Sequence, residues 1–212
     1  GINRAALMKN LFCSQYFSAY FEERNPAEIE SPLIRFVLRS GAQGLLLFPA
    51  AQEVYNKELL HLADMDFPVV LLDRELIGLG FPCVQSDHRL IGRMAAEVCI
   101  NAGHRAIAYC FGASEIQPVI QRREGFENAM RQHGLPFGGA LLVAENGILQ
   151  IKEQMVKLMK QGVSAFVCAA SHARALLELV RDGLPAGLSL PSILTIDKAE
   201  TDDLDLRAPS YI

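Results

Sequence analysis

The strongest constraint on this chain is a rhythm. Short, almost wholly apolar runs recur along its 212 residues, and longer stretches with helical spacing lie between them. FSAYF (17–21), GLLLF (44–48), PVVLLD (68–73), AIAYCF (106–111), ALLVA (140–144), AFVCA (165–169) and SILTI (192–196) read as strands. Most are apolar throughout instead of alternating, as strands buried on both faces of a parallel sheet are. Helices are expected over 2–15, 52–65, 120–133, 147–161 and 172–182, with one more opened by Asn25 and another by Asp87. The alternation specifies an α/β fold with right-handed crossovers.

Local signals fix some of the ends. Asn25 can cap a helix, Pro26 suits its first position and Glu28 can reach back to the cap. Gly41 closes that helix, and Pro32 is expected to bend or delay it. Asp87 caps the next long helix, whose buried stripe is expected at Ile91, Met94, Ala95, Val98 and Ala102 before Gly103 stops it. One break interrupts the rhythm. After PVVLLD the chain enters no helix but runs through Gly78, Gly80 and Pro82 to the extended CVQS at 83–86. A crossing between two sheets is expected there. The first lobe would then cover 1–73 and the second 83–206, with crossovers at 74–82 and 207–212.

The bulk chemistry excludes several classes. The formal charge is −4, whereas a DNA-binding surface is usually basic. No apolar run approaches the roughly 20 residues of a membrane span. The N-terminus carries no basic-then-apolar secretion signal. Cys13, Cys83, Cys99, Cys110 and Cys168 are scattered, without CxxC or Cys/His spacing, which points to reduced thiols in a cytoplasmic protein and to no metal. GASEIQ, after the 106–111 strand, lacks the glycine spacing of a phosphate loop, and no cofactor is implied.

Four stretches carry a resemblance. GAQGLLLFP (41–49) looks like a strand entry, and RREGFENAMRQHGLP (122–136) contains RxxGF. VQSDHRLIGRMAAEVCINAGHRAIAY (84–109) holds SD, a glycine five residues after that Asp, and AGHRxIAY. LSLPSILTIDKAE (188–200) is similar to VPxDxSVxGFDD. In this order they resemble the effector-binding core of LacI/GalR-type transcription regulators. The resemblance implies two Rossmann-like lobes of the type I periplasmic-binding-protein kind, parallel sheets flanked by helices, and a ligand cleft between the lobes. It implies a small sugar-like effector, a homodimer, and operator DNA held through a DNA-binding head outside this chain. The family's core opens with a strand ahead of the first helix and continues beyond RAPSYI (207–212), so the chain reads as a fragment of such a regulator. A periplasmic solute-binding protein of a sugar transporter is the alternative.

Ligands of open α/β sheets sit outside the carboxyl ends of strands. Asp73 ends PVVLLD, where its carboxylate could accept from adjacent sugar hydroxyls, or merely pair with Arg74 or cap the turn. Arg122 opens RREGF and offers a rigid donor fork, and the family places a ligand-binding arginine there. Asp197 follows SILTI, where the family's GFDD reads TIDK, and could instead cap the next loop. Ser171 and His172 stand where the family has Asn-Asp. That exchange shortens the reach and replaces an anion by a group that titrates near neutrality. The bland alternative is that Ser171 only caps a helix beginning at His172. A catalytic Ser-His pair is disfavoured, because neighbouring side chains on a helix diverge and no GxSxG elbow is present. The protein is therefore read as a sensor, not an enzyme.

Overall fold

The computed structural model describes residues 2–9, 13–14, 26–50, 57–111, 116–137, 142–143, 147–196 and 210–211. The chain divides into two compact units, Gly1–Gln85 and Ser86–Ile212. The FSAYF run, Asn25 and Asp197 lie outside the described residues.

The first unit contains α1 (Ile2–Met8), α2 (Pro26–Arg39), β1 (Leu45–Leu47), α3 (Lys57–Asp64), β2 (Val69–Leu72) and β3 (Cys83–Val84). Its strands form a parallel sheet in the order β1-β2-β3. Helix α2 begins at Pro26 and runs through Pro32 without ending there. The expected crossover at 74–82 does not coincide with the division between the units. Residues 76–81 instead fold back, with Leu76 buried in the first unit's core and Leu79 and Phe81 packed against it. The short CVQS piece supplies the third strand of the first sheet. Ile34 of α2, Leu59 and Leu62 of α3, and Val69 and Leu71 of β2 build that core. The opposite row of the sheet is more open: Leu46 and Val84 are exposed, and Val70 and Leu72 are half-buried.

A half-buried ion pair, with Glu58 buried and Arg35 exposed, ties α2 to α3. Glu58 accepts from Ser31 and Arg35 and is 6 % exposed. Burial alone would raise its pKa, yet the Ser31 and Arg35 hydrogen bonds outweigh that and hold the carboxyl below its usual range.

The second unit contains α4 (His88–Asn101), β4 (Ile107–Cys110), α5 (Gln117–Gln132), β5 (Leu142–Val143), α6 (Ile148–Lys160), β6 (Ala165–Cys168), α7 (Ala170–Asp182), β7 (Ser192–Thr195) and β8 (Ser210–Tyr211). Its five strands are all parallel, in the order β5-β4-β6-β7-β8. Here the all-apolar strands behave as expected, since every residue of β4 and β6 is buried. Ile107, Tyr109, Ala165 and Val167 face one core with α4 and α5. Ala108, Cys110, Phe166 and Cys168 face the other, with α6 and α7. All five cysteines are free thiols, and burial pushes the Cys99 thiol up to about 11. No described helix is long and apolar enough to cross a membrane.

One helical expectation needs correction. Asp87 does cap α4, accepting from the Leu90 amide at 2.9 Å. The buried face of α4, however, is His88, Gly92, Ala95, Ala96, Cys99 and Ile100, while Met94 and Val98 are 39 % and 46 % exposed. Two apolar stripes compete on this helix, and the one containing glycine and alanine wins because it admits a neighbouring helix closely. Just after α4, His104 Nδ1 lies 2.8 Å from the Ser164 hydroxyl, immediately ahead of β6.

Helices α6 and α7 are linked by charge. Lys152 Nζ lies 3.0 Å from Glu178, and Arg174 lies 3.2 Å from the same carboxylate. The Lys152 hydrogen bond lowers the Glu178 pKa, against the upward push of burial, with Arg174 assisting. A carboxyl whose folded pKa is depressed adds stability above its unfolded pKa, and that stability is lost as pH falls through the folded value. The second unit should therefore lose stability progressively below pH 4.5, the ordinary value for this group. Lys152→Met should lower the melting temperature at pH 7 and flatten the decline below that pH. Melting curves from pH 7 to pH 3 check this: equal slopes in both proteins would contradict it.

Candidate functional site

The strand order of the second unit fixes where a ligand would sit. From β4 the chain leaves through α5 to β5 on one side, and from β6 it leaves through α7 to β7 on the other. The connections diverge between β4 and β6. A divergence of this kind opens a crevice at the carboxyl ends of the strands, the usual ligand position in open α/β sheets. Arg122 lies on the second turn of α5, and Ser171 and His172 on the first turn of α7, so both connections carry candidate residues.

The segment after β6 differs from its expected form. Helix α7 begins at Ala170 with Ala169 as N-cap and no side-chain capping bond. Ser171 therefore sits inside the first turn, and the expectation that it caps a helix starting at His172 is overturned. The Ala169 amide donates to the Cys110 carbonyl at 2.9 Å, holding this helix start against the end of β4. Ser171 is exposed, while His172 is 2 % exposed. Their side chains do meet: the Ser171 hydroxyl is 3.3 Å from His172 Nδ1. Adjacent helical side chains were expected to diverge, and the first turn relaxes that rule here. The pair thus presents a hydroxyl outward with an imidazole behind it.

Arg122 is held in two ways. Its backbone lies against α4, because a methyl group added at Gly92 would overlap the Arg122 carbonyl oxygen and lie 2.7 Å from the carbonyl carbon. The relation is reciprocal, since a methyl group at Gly125 would overlap the Arg89 carbonyl oxygen and lie 2.8 Å from its carbon. Glycine at both positions lets the helices touch through their backbones. The Arg122 side chain is half-buried, and its Nε donates to His88 Nδ1 at 3.3 Å. Arg89 also pairs with Glu124 at 2.6 Å across the same crossing. Arg123 is exposed, so of the two adjacent arginines Arg122 is the one built into the unit.

In the first unit, Asp73 follows β2 directly. Its φ is 66°, in the left-handed region that aspartate tolerates better than most residues. Its amide donates to the Val84 carbonyl at 2.9 Å. Arg74 turns elsewhere, donating to the Pro49 carbonyl at 3.1 Å, with its guanidinium 4.8 Å from the centre of the Phe48 ring. Buried Glu30 accepts from the Ala50 amide at 2.9 Å. A carboxylate, a guanidinium and an aromatic ring thus gather at the carboxyl edge of this sheet. Sequence reasoning singled out only Asp73 among them.

Of the expected site residues, the structure brings Ser171 together with His172. It joins Arg122 to His88, a residue that sequence reasoning missed.

Known proteins place this architecture. The chain matches the family described as periplasmic binding proteins and sugar binding domain of LacI family over residues 16–175. It is 26 % identical over 183 residues to the arabinose metabolism transcriptional repressor of Geobacillus stearothermophilus, covering 81 % of this chain and 49 % of that protein. It is 25 % identical over 174 residues to the regulator GalS of Salmonella typhimurium, covering 80 % and 50 %. The chain thus spans about half the length of these relatives. Among solved structures, a ribose operon repressor homologue from Burkholderia thailandensis superimposes with a TM-score of 0.73 at 22 % identity, covering 92 % of this chain and 71 % of that one. The Escherichia coli repressor AscG gives 0.71 at 22 % identity, covering 99 % and 76 %. With parallel sheets, a divergence at β4 and β6 and a family match over most of its length, the chain belongs to the family of periplasmic binding proteins and LacI-type sugar-binding domains.

Proposed function

We propose that this chain is the effector-binding and dimerisation core of a bacterial LacI-type transcription regulator that responds to a small sugar or sugar derivative. Effector binding would favour a closed state of the lobes, and the ligand shifts that balance only by its difference in affinity for the two states. On this reading the partners are the effector, a second identical subunit, and operator DNA contacted through a head outside this chain. The protein acts by binding in the cytoplasm, not by turnover. Membership of the family and the regulators among the relatives support this reading over a transporter's solute-binding protein.

The observation that carries the proposal is Arg122, fixed at backbone and side chain on the helix that follows β4. A planar donor fork suits vicinal hydroxyls or an anionic group. Asp73 and Asp197 would accept from hydroxyls, and Ser171 would contact the ligand with His172 behind it. The Ser-His pair in place of Asn-Asp removes one negative charge, which favours an effector bearing an anionic group.

A thermal-shift screen of mono- and disaccharides, sugar phosphates, nucleosides and amino acids tests this. Arabinose and ribose belong in it, given the relatives named for them. Arg122→Ala should weaken binding of each hit about 10- to 100-fold, the loss of a charged hydrogen-bond partner. Hits that bind the variant as well as the wild type would contradict the pocket assignment. His172→Asp should weaken an anionic hit in particular, and unchanged affinity would leave His172 as a helix residue only.

A further inference from the structure

We infer that His88 is a positioning residue for Arg122, holding the guanidinium plane in its binding orientation before any effector arrives. The inference rests on the proposal that Arg122 binds the effector.

His88 is the first residue of α4, directly after the Asp87 cap, and is 3 % exposed. A buried imidazole at a helix start is costly unless it is used. Its Nδ1 is 3.3 Å from Arg122 Nε. An arginine Nε always carries a hydrogen and can only donate, so Nδ1 must be the accepting nitrogen. The contact therefore assigns the tautomer with its hydrogen on Nε2. The contact joins α4 to α5 where Gly92 already fixes the Arg122 backbone.

The chemical consequence concerns which edge of the guanidinium meets a ligand. Arginine offers two bidentate edges, one formed by Nε with a terminal nitrogen and one formed by both terminal nitrogens. The His88 contact engages Nε, so recognition runs through the terminal pair, end-on. That edge matches two adjacent oxygens: vicinal hydroxyls, a carboxylate or a phosphate. A side chain fixed beforehand also loses less rotamer freedom on binding. The sequence alone hides this role, since His88 shows no metal-ligand spacing.

The test follows the guanidinium itself. Nitrogen-15 NMR would measure solvent exchange of the Arg122 Nε–H, assigned by its loss in Arg122→Lys. His88→Leu removes the acceptor and keeps an apolar side chain, whereas His88→Asn retains an acceptor near the Nδ1 position. Exchange should become about fivefold faster or more in His88→Leu, as for loss of one hydrogen bond, and return to near the wild-type rate in His88→Asn. Spectra of the His88 ring should show the proton on Nε2. Unchanged exchange in His88→Leu, or no recovery in a His88→Asn protein that melts like the wild type, overturns the inference. Screen hits that ignore Arg122→Ala sink the pocket reading instead, and that failure is visible separately from the exchange rates.

Discussion

Gly125→Ala should destabilise the second unit by about 3 kcal/mol, or prevent its folding, because the added methyl group has no space to enter. In an open helix the same change would stabilise by roughly 0.5–1 kcal/mol, so even the sign is diagnostic. At Gly125 the obstacle is the backbone carbonyl of Arg89, which has no rotamer by which to move aside. The helices would have to separate, and Ala129 and Ala96, both buried beside this crossing, would lose contact. A loss of this size corresponds to a melting-temperature drop of about 10 °C. Gly92→Ala meets the Arg122 carbonyl in the same way. The double variant should be less destabilised than the sum of the two, because one separation of α4 from α5 accommodates both methyl groups. Denaturant titration of the three variants decides it. A neutral or stabilising Gly125→Ala would show that the helices do not touch at this point.

Phe126→Ala should cost about 3–5 kcal/mol, the range for deleting a fully buried aromatic side chain. Phe126 is 0 % exposed, and its ring lies 5.0 Å from that of Tyr109 and 5.2 Å from that of Phe137. Tyr109 stacks in turn on Phe111 at 4.2 Å. The change empties the centre of the core between β4 and α5, and the surrounding rings can collapse only partly. Phe126→Leu should cost clearly less, since it leaves a smaller cavity. A loss below about 1 kcal/mol in Phe126→Ala would contradict the packing described.

These predictions concern neighbouring residues of one short motif, RREGF, and they show what a sequence can disclose. Arg122, Gly125 and Phe126 do different work: a donor fork, a close approach and a core plug. The sequence displayed all three, and the resemblance suggested a role for the first. The other roles needed the partner helix, because nothing local to Gly125 announces the Arg89 carbonyl. The strands were legible because burial on both faces of the second sheet demands unbroken apolar runs. The less apolar environment of the first sheet, with Leu46 and Val84 exposed, could not be read from the equally apolar GLLLF and PVVLLD. On α4 the larger apolar residues point to the wrong stripe, since the small residues of the buried face carry a weak hydrophobic signal. The Ser171 cap failed by register: the helix starts at Ala170, two residues before the expected His172. His88 stayed hidden because its partner is 34 residues away.

We propose that Arg122 and Asp73 each contribute to effector binding. Calorimetric titration of the best screen hit into wild type, Arg122→Ala and Asp73→Asn checks this. Each substitution is expected to weaken binding about tenfold or more, and in Asp73→Asn the melting temperature without effector should stay near that of the wild type. Wild-type affinity in either variant would contradict it.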